Sequence, residues 1–203
     1  EIESRIAGIE RVARDKVLAE RKRGRGTVQN VPQPMAKWTF DRDAKDELGL
    51  LHGTLKGGAT VSNGRLQLSG KGAFVETAPL ERELREKTLE VWGTLANLTQ
   101  RGGGLISVQN QDGRFFDSVV FGEREPGKWI AGSNGFTRTR DLAASLETAQ
   151  SSELVHVAIV YSTDNRIWVY RNGALYSEPY TPTGSDATLR SYPAKESHVL
   201  FGL

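Results

Sequence analysis

Val155-His-Val-Ala-Ile-Val-Tyr-Ser-Thr-Asp-Asn-Arg-Ile-Trp-Val-Tyr-Arg-Asn-Gly-Ala-Leu-Tyr176 is the stretch that decides the fold. Asp164-Asn165 separates two apolar runs rich in Val, Ile, Tyr and Trp, the composition of β-strands. Asn172-Gly173 is the pair that a two-residue type I′ hairpin wants, because both positions need positive φ. Val155, Val157, Ile159 and Tyr161 fall on one face of the first run, and His156, Ala158, Val160 and Ser162 on the other. Both faces are largely apolar, which predicts a sheet covered on both sides or one forming a concave floor.

The same grammar extends in both directions. Short apolar runs punctuated by Gly, Asn and Asp begin at Ala36–Asp41. They continue through Leu51–Leu55, Ala73–Thr77, Lys87–Leu95, Gly104–Gln109, Phe115–Gly122 and Lys128–Ser133, and end at Val199–Leu203. Many short strands with turn signals at this spacing predict an all-β antiparallel sandwich over residues 37–203.

Residues 1–26 read differently. Ile2, Ile6, Ile9 and Ala13 make a narrow apolar seam among charged residues, predicting a charged amphipathic helix. It reads either as a solvated helix leaning on a domain or as the end of a coiled coil or helical hairpin. Residues 27–36, with Pro32 and Pro34, read as a linker. The chain opens with Glu1-Ile2-Glu3 instead of methionine and reads as a piece of a longer protein.

Charge and composition narrow the function classes. Net charge is +2, and residues 1–26 carry eight basic against five acidic residues, leaving 19 basic against 20 acidic in the rest. A nearly neutral body argues against nucleic acid as a partner. No apolar run approaches the ~20 residues of a membrane span. With no cysteine, the chain can form neither a disulfide nor a Cys-x-x-Cys-His haem attachment.

Three blocks carry a family likeness. His156-Val-Ala-Ile-Val-Tyr with Tyr170-Arg-Asn-Gly173, Thr88-Leu-Glu-Val-Trp92, and Trp38-Thr-Phe-Asp41 with Leu51-His-Gly-Thr-Leu55 and Gly64-Arg-Leu-Gln-Leu-Ser-Gly70 resemble laminin-G-like, concanavalin A-like jelly rolls. Four others resemble the version found in large planctomycetal cytochrome-c-type proteins: Arg101-Gly-Gly-Gly104, Phe121-Gly-Glu-Arg-Glu-Pro126, Trp129-Ile-Ala-Gly-Ser-Asn-Gly-Phe136 and Val199-Leu-Phe-Gly-Leu203. The resemblance implies an extracytoplasmic domain of a larger haem-linked protein, packed among other domains. In this class a closing strand follows the last block. The stop at Leu203 predicts either an exposed edge beside a Trp38–Asp41 strand or a closing strand supplied by a segment beyond this sequence.

The likeness points to recognition of a polysaccharide or glycoconjugate, without catalysis. Jelly-roll glycosidases carry alternating carboxylates, Glu-x-Asp-x-x-Glu, on one strand face, and this chain has no such run. Gly102-Gly-Gly104 leads into a strand and reads as a tight turn. Gln109, Asp117, Glu123, Arg124, Trp129, Asn134 and Arg138 combine an aromatic ring with planar hydrogen-bonding groups, which suits sugars, and are the candidate binding residues. The competing reading makes Trp129 and Phe121 core residues and the polar ones solvated. Trp92 and Trp168, in mid-strand, read as core. Laminin-G-like domains often hold Ca²⁺, for which Asp41, Asp43 and Asp46 are the candidate ligands. The alternatives to glycan recognition are an architectural domain and, third, a polysaccharide hydrolase or lyase.

Overall fold

The computed structural model describes residues 32–183 and 188–202. The chain divides into two compact units, Glu1–Met35 and Ala36–Leu203. The helix expected over 1–26 lies outside the described residues, as does the linker up to residue 31. Within the second unit the strands are β1 (Gly53–Lys56), β2 (Thr60–Ser62), β3 (Arg65–Gln67), β4 (Phe74–Thr77), β5 (Lys87–Gly93) and β6 (Gly104–Asn110). They continue with β7 (Phe116–Phe121), β8 (Trp129–Ser133), β9 (Val155–Tyr161), β10 (Ile167–Arg171), β11 (Ala174–Leu175) and β12 (Ser197–Phe201).

Every pairing among them is antiparallel. One sheet has six strands in the order β1-β4-β12-β6-β7-β8, a second has four in the order β11-β10-β9-β5, and β2-β3 form a separate pair. The all-β antiparallel sandwich read from the sequence is what the chain builds. Asn172 and Gly173 have φ of 48° and 80°, as the type I′ reading requires. Gly102 and Gly103 both have positive φ, and the Gly102 amide donates to the Phe121 carbonyl, so the glycine run is a turn.

The first expected strand does not form. Phe40 sits at φ 56°, a left-handed value that breaks an extended run and its ladder. The segment is instead fixed by its side chains. The Trp38 indole donates to the Leu51 carbonyl at 2.8 Å, and the rings of Trp38 and Phe40 meet Phe201 edge-on at 5.1 and 5.0 Å. The expected open edge beside a Trp38–Asp41 strand is therefore not found there. The last strand, β12, occupies an interior position between β4 and β6.

Strand alternation sorts the residues into inner and outer faces. In the larger sheet register and alternation put Val75, Phe201, Val199, Val108, Val119, Phe121 and Trp129 on one face, where all are buried. In the smaller sheet the same holds for Leu89, Ile159, Val157, Ile167 and Val169. These two sets form the core.

A charged cluster lies inside it. Asp117 on β7 shares the inner face with Val119 and Phe121 and is wholly buried. Its Oδ1 accepts from Arg138 Nε at 2.9 Å, while Oδ2 faces the Lys87 ammonium on β5 at 2.8 Å as an ion pair. Arg138 Nη2 also donates to the Phe116 carbonyl and to Asn134 Oδ1. The Lys87 ammonium lies 4.2 Å from the Tyr161 ring centroid and 4.9 Å from that of Tyr192, whose π-faces help to hold it. Burial pushes the Lys87 amine below its ordinary range, and pushes the Tyr161 and Tyr192 phenols up.

Two cations share one carboxylate, so the two ends of the cluster differ in worth. Removing the anion strands both cations in a low-dielectric core, whereas removing the lysine leaves a balanced pair. Asp117→Ala is expected to cost about 3–5 kcal/mol in urea unfolding, and Lys87→Met far less. Equal losses in the two variants would contradict this arrangement.

Candidate functional site

The sequence-derived binding residues separate into buried and exposed groups. Asp117, Asn134 and Arg138 do converge, but in the interior, where Asp117 is 0% and Arg138 1% exposed. Trp129 is 1% exposed and packs at 4.9 Å from Phe121, so its ring is core and offers no platform to a ligand. Gln109 is half-buried on the outer face of the larger sheet, its Nε2 3.1 Å from His198 Nε2. His198 is flanked by Glu76 at 3.5 Å, and Glu76 pairs with Lys56. Burial keeps the His198 imidazole below its ordinary pKa, outweighing the Glu76 charge, which acts the other way. Glu123 is exposed, and Arg124 makes a two-point contact with Asp141 at 2.5 and 2.8 Å beside the Phe136 ring. The seven residues therefore do not make one site.

The three aspartates considered for Ca²⁺ are already committed or apart. Asp46 is buried and accepts from the backbone amides of Lys37, Leu48 and Leu51. Asp43 caps its own turn through the Lys45 amide, and Asp41 is exposed near Gly64. Among the described residues no three His, Asp or Glu side chains are grouped as a metal donor set. The aspartates do not fit a shared ion.

Trp129 instead anchors a loop that sequence reading passed over. Its indole donates to Glu147 Oε2 at 2.7 Å. Arg171 on β10 grips both oxygens of the same carboxylate at 2.8 and 2.6 Å, and the amides of Thr148 and Ala149 close on Oε1. Burial pushes the Glu147 carboxyl up, but these donors outweigh it and hold it down to about 2. The segment between β8 and β9 is thereby tied along the β8 edge, helped by the Glu147 amide on the Gly127 carbonyl and Thr139 Oγ1 on that of Ala131. Covering an edge in this way blunts edge-to-edge association.

The exposed aromatic surface lies on the opposite side of the molecule's smaller sheet. On β5, Lys87, Leu89 and Val91 point inward, so Thr88, Glu90 and Trp92 point out, and Trp92 is 57% exposed. Reading it as core was wrong, because strand parity places it with the polar residues. Its ring stacks on the His156 imidazole of β9, with centroids 4.3 Å apart at an interplanar angle of 23°. His156 Nε2 is 2.8 Å from Glu90 Oε1, so the imidazole under the indole is itself fixed. Trp168 and Tyr170 on β10 share this outer face and are half-buried, with the Arg166 guanidinium 4.9 Å from the Trp168 ring centroid. Ala158 and Val160 lie between the two flanking strands.

A flat, exposed indole held in place, with a carboxylate on the same strand face, can take the C–H face of a sugar ring while the carboxylate accepts from its hydroxyls. The signal for it was present in the sequence as the alternation of Lys87-Thr-Leu-Glu-Val-Trp92. What sequence could not supply was which of the two alternating sets faced the other sheet.

Comparison with known proteins agrees with the architecture. The family model Laminin_G_3, described as the concanavalin A-like lectin/glucanases superfamily, matches residues 69–193. No curated protein matches the chain. Among solved structures, SCLam, a non-specific endo-β-1,3(4)-glucanase from family GH16, is similar at 12% identity and a TM-score of 0.45, over 71% of this chain and 62% of that one. The carbohydrate-binding module CBM66 from Bacillus subtilis gives 12% and 0.45 over 75% and 92% of the two chains. The receptor-binding domain of a botulinum neurotoxin C/D mosaic serotype gives 14% and 0.47 over 77% and 43%. Likeness at this level does not carry an activity from one protein to another. Among the described residues no helix is long and apolar enough to cross a membrane.

Two outcomes check the site geometry. Trp129→Ala should cost about 3–5 kcal/mol in denaturant unfolding, whereas Trp92→Ala should change stability by under about 1 kcal/mol. For Glu147, whose folded pKa of about 2 lies below the ordinary 4.5, the stabilisation is complete above pH 4.5 and is lost as pH falls toward 2. Glu147→Gln should therefore remove on the order of 3 kcal/mol of stability at neutral pH and flatten the acid limb of a stability–pH profile.

Proposed function

Because the chain belongs to the concanavalin A-like lectin/glucanase superfamily, we propose that it is a non-catalytic recognition module that binds a glycan. The observation that carries this reading is Trp92. An indole 57% exposed lies outside the core, yet it is braced by the His156 stack, and His156 is held in turn by Glu90. Bracing removes part of the ordering cost of binding, which is how a rigid platform gains affinity.

The absence of turnover is part of the proposal. Glycoside cleavage by the common route needs two carboxyl groups across one bond. Glu90 has an imidazole beside it, and Glu76 on the other sheet neighbours His198 and Lys56 in the same way. The module is further proposed to be an extracytoplasmic part of a larger multidomain protein, with the haem-linked planctomycetal type as the parent suggested by sequence likeness.

An architectural role is the second reading. It is favoured by Leu154 and Leu175, 50% and 44% exposed at the border of the same outer face. Exposed apolar side chains beside an aromatic patch also suit packing against protein.

Retention on a polysaccharide array by the purified chain, weakened at least about tenfold (1.4 kcal/mol) by Trp92→Ala, is the expected result. If no glycan is retained, or the variant binds like the parent, the reading fails. Release of reducing ends from a retained glycan would overturn the non-catalytic part.

A further inference from the structure

We infer that the Trp92 platform is one end of a diagonal track on the outer face of the four-stranded sheet, built for an extended, neutral glycan chain instead of a single sugar. This rests on the reading of glycan recognition and specifies its ligand.

The register places the track. Trp92 pairs with His156 and Trp168 with Val160, and β5 and β10 flank β9 on opposite sides. The two tryptophans are thus offset by four residues along the sheet and by two strands across it. That is roughly 13 Å along and about 10 Å across, or about 16 Å on the diagonal between backbones. A monosaccharide stacked on one ring cannot touch the other, whereas an extended chain of several units can.

Ala158 sits at the midpoint of that diagonal, with Glu90 directly paired to it on one side and Tyr170 on the other. Ala158, only 8% exposed, adds no bulk of its own between that carboxylate and that phenol. Glu90 can accept from sugar hydroxyls and Tyr170 can donate or accept, so the flanks are suited to hold a chain lying over the floor. At the far end the Arg166 guanidinium lies over the half-buried Trp168 ring, 4.9 Å from its centroid, so that end of the track presents a planar fork of donors on an aromatic base.

The charge distribution selects among chains. Among the described residues the acidic and basic side chains along the track are Glu90, His156 and Arg166, an acid near one end and a guanidinium near the other. With no field of a single sign, the track lacks the clustered cations that would draw uronic or sulfated chains.

The test uses the whole chain in affinity electrophoresis against neutral polysaccharides (mixed-linkage glucan, xylan, galactomannan, pullulan) and acidic ones (polygalacturonate, alginate, dextran sulfate). Titration then follows an oligosaccharide series, from disaccharide to hexasaccharide, cut from whichever is retained. The expected result is retention on a neutral polymer and affinity that rises at least about tenfold along the series. Trp168→Ala should remove that length dependence and leave disaccharide binding unchanged. Ala158→Tyr, which raises the floor, should likewise cut the gain with chain length, and because Trp168→Ala alters a different strand, misfolding of one variant leaves the other informative. Length-independent binding that still needs Trp92 would overturn the track and leave glycan recognition standing, as would preference for the acidic polymers. Retention on none would overturn both.

Discussion

The contact between Asp117 and the Lys87 ammonium joins the two sheets in their buried interior. One carboxylate on β7 holds a lysine from β5 and an arginine that follows β8, all out of water. Such a cluster is a poor source of net stability, because desolvation consumes most of the Coulombic gain. Its physical consequence is geometric. Each charge is satisfied only when the two sheets face each other with Asp117 opposite Lys87, so a slip of either sheet strands an ion in the core. The aromatic rings of Tyr161 and Tyr192 line the same chamber and turn their π-faces to the ammonium.

Fixing the inner faces fixes the outer ones. Because strand side chains alternate, the residue that sends Lys87 inward sends Trp92, five positions later, outward. The same rule carries Trp168 and Tyr170 out from β10, while Val169 and Ile167 go in. The candidate recognition surface is thus the reverse side of the core register, and the ion cluster and the exposed Trp92 indole are two results of one constraint. The Glu147 clamp acts at the margin of this arrangement, holding the long segment after β8 by Trp129 and Arg171 so that the edge strand is covered.

Much of the architecture was legible from residues alone. The Val155–Tyr176 stretch announced a hairpin-linked strand pair, and the Asn172-Gly173 turn adopts the positive φ values its composition demands. Punctuation by glycine and asparagine marked most of the remaining strands. The error at Ala36–Asp41 came from composition, since Trp38 and Phe40 have strand propensity but are used as side-chain plugs against Phe201. The candidate site was less legible. Trp129, Asp117 and Arg138 had sugar-binding chemistry but core positions, and Trp92 had a core-like setting but an exposed position.

The sequence by itself determined the strand-rich composition, the turn positions and the alternation along each strand, because these depend on neighbours two or three residues apart. It also contained the Lys87-Leu89-Val91 face, in which a lysine travels with core residues. Tertiary structure alone decided which alternating set became the interior, since that depends on the partner sheet and not on the strand. It also decided that Lys87 would meet Asp117, 30 positions distant, and that two tryptophans 76 positions apart would share one face. Pairings of that separation are set by the packing of whole sheets, and no local pattern encodes them.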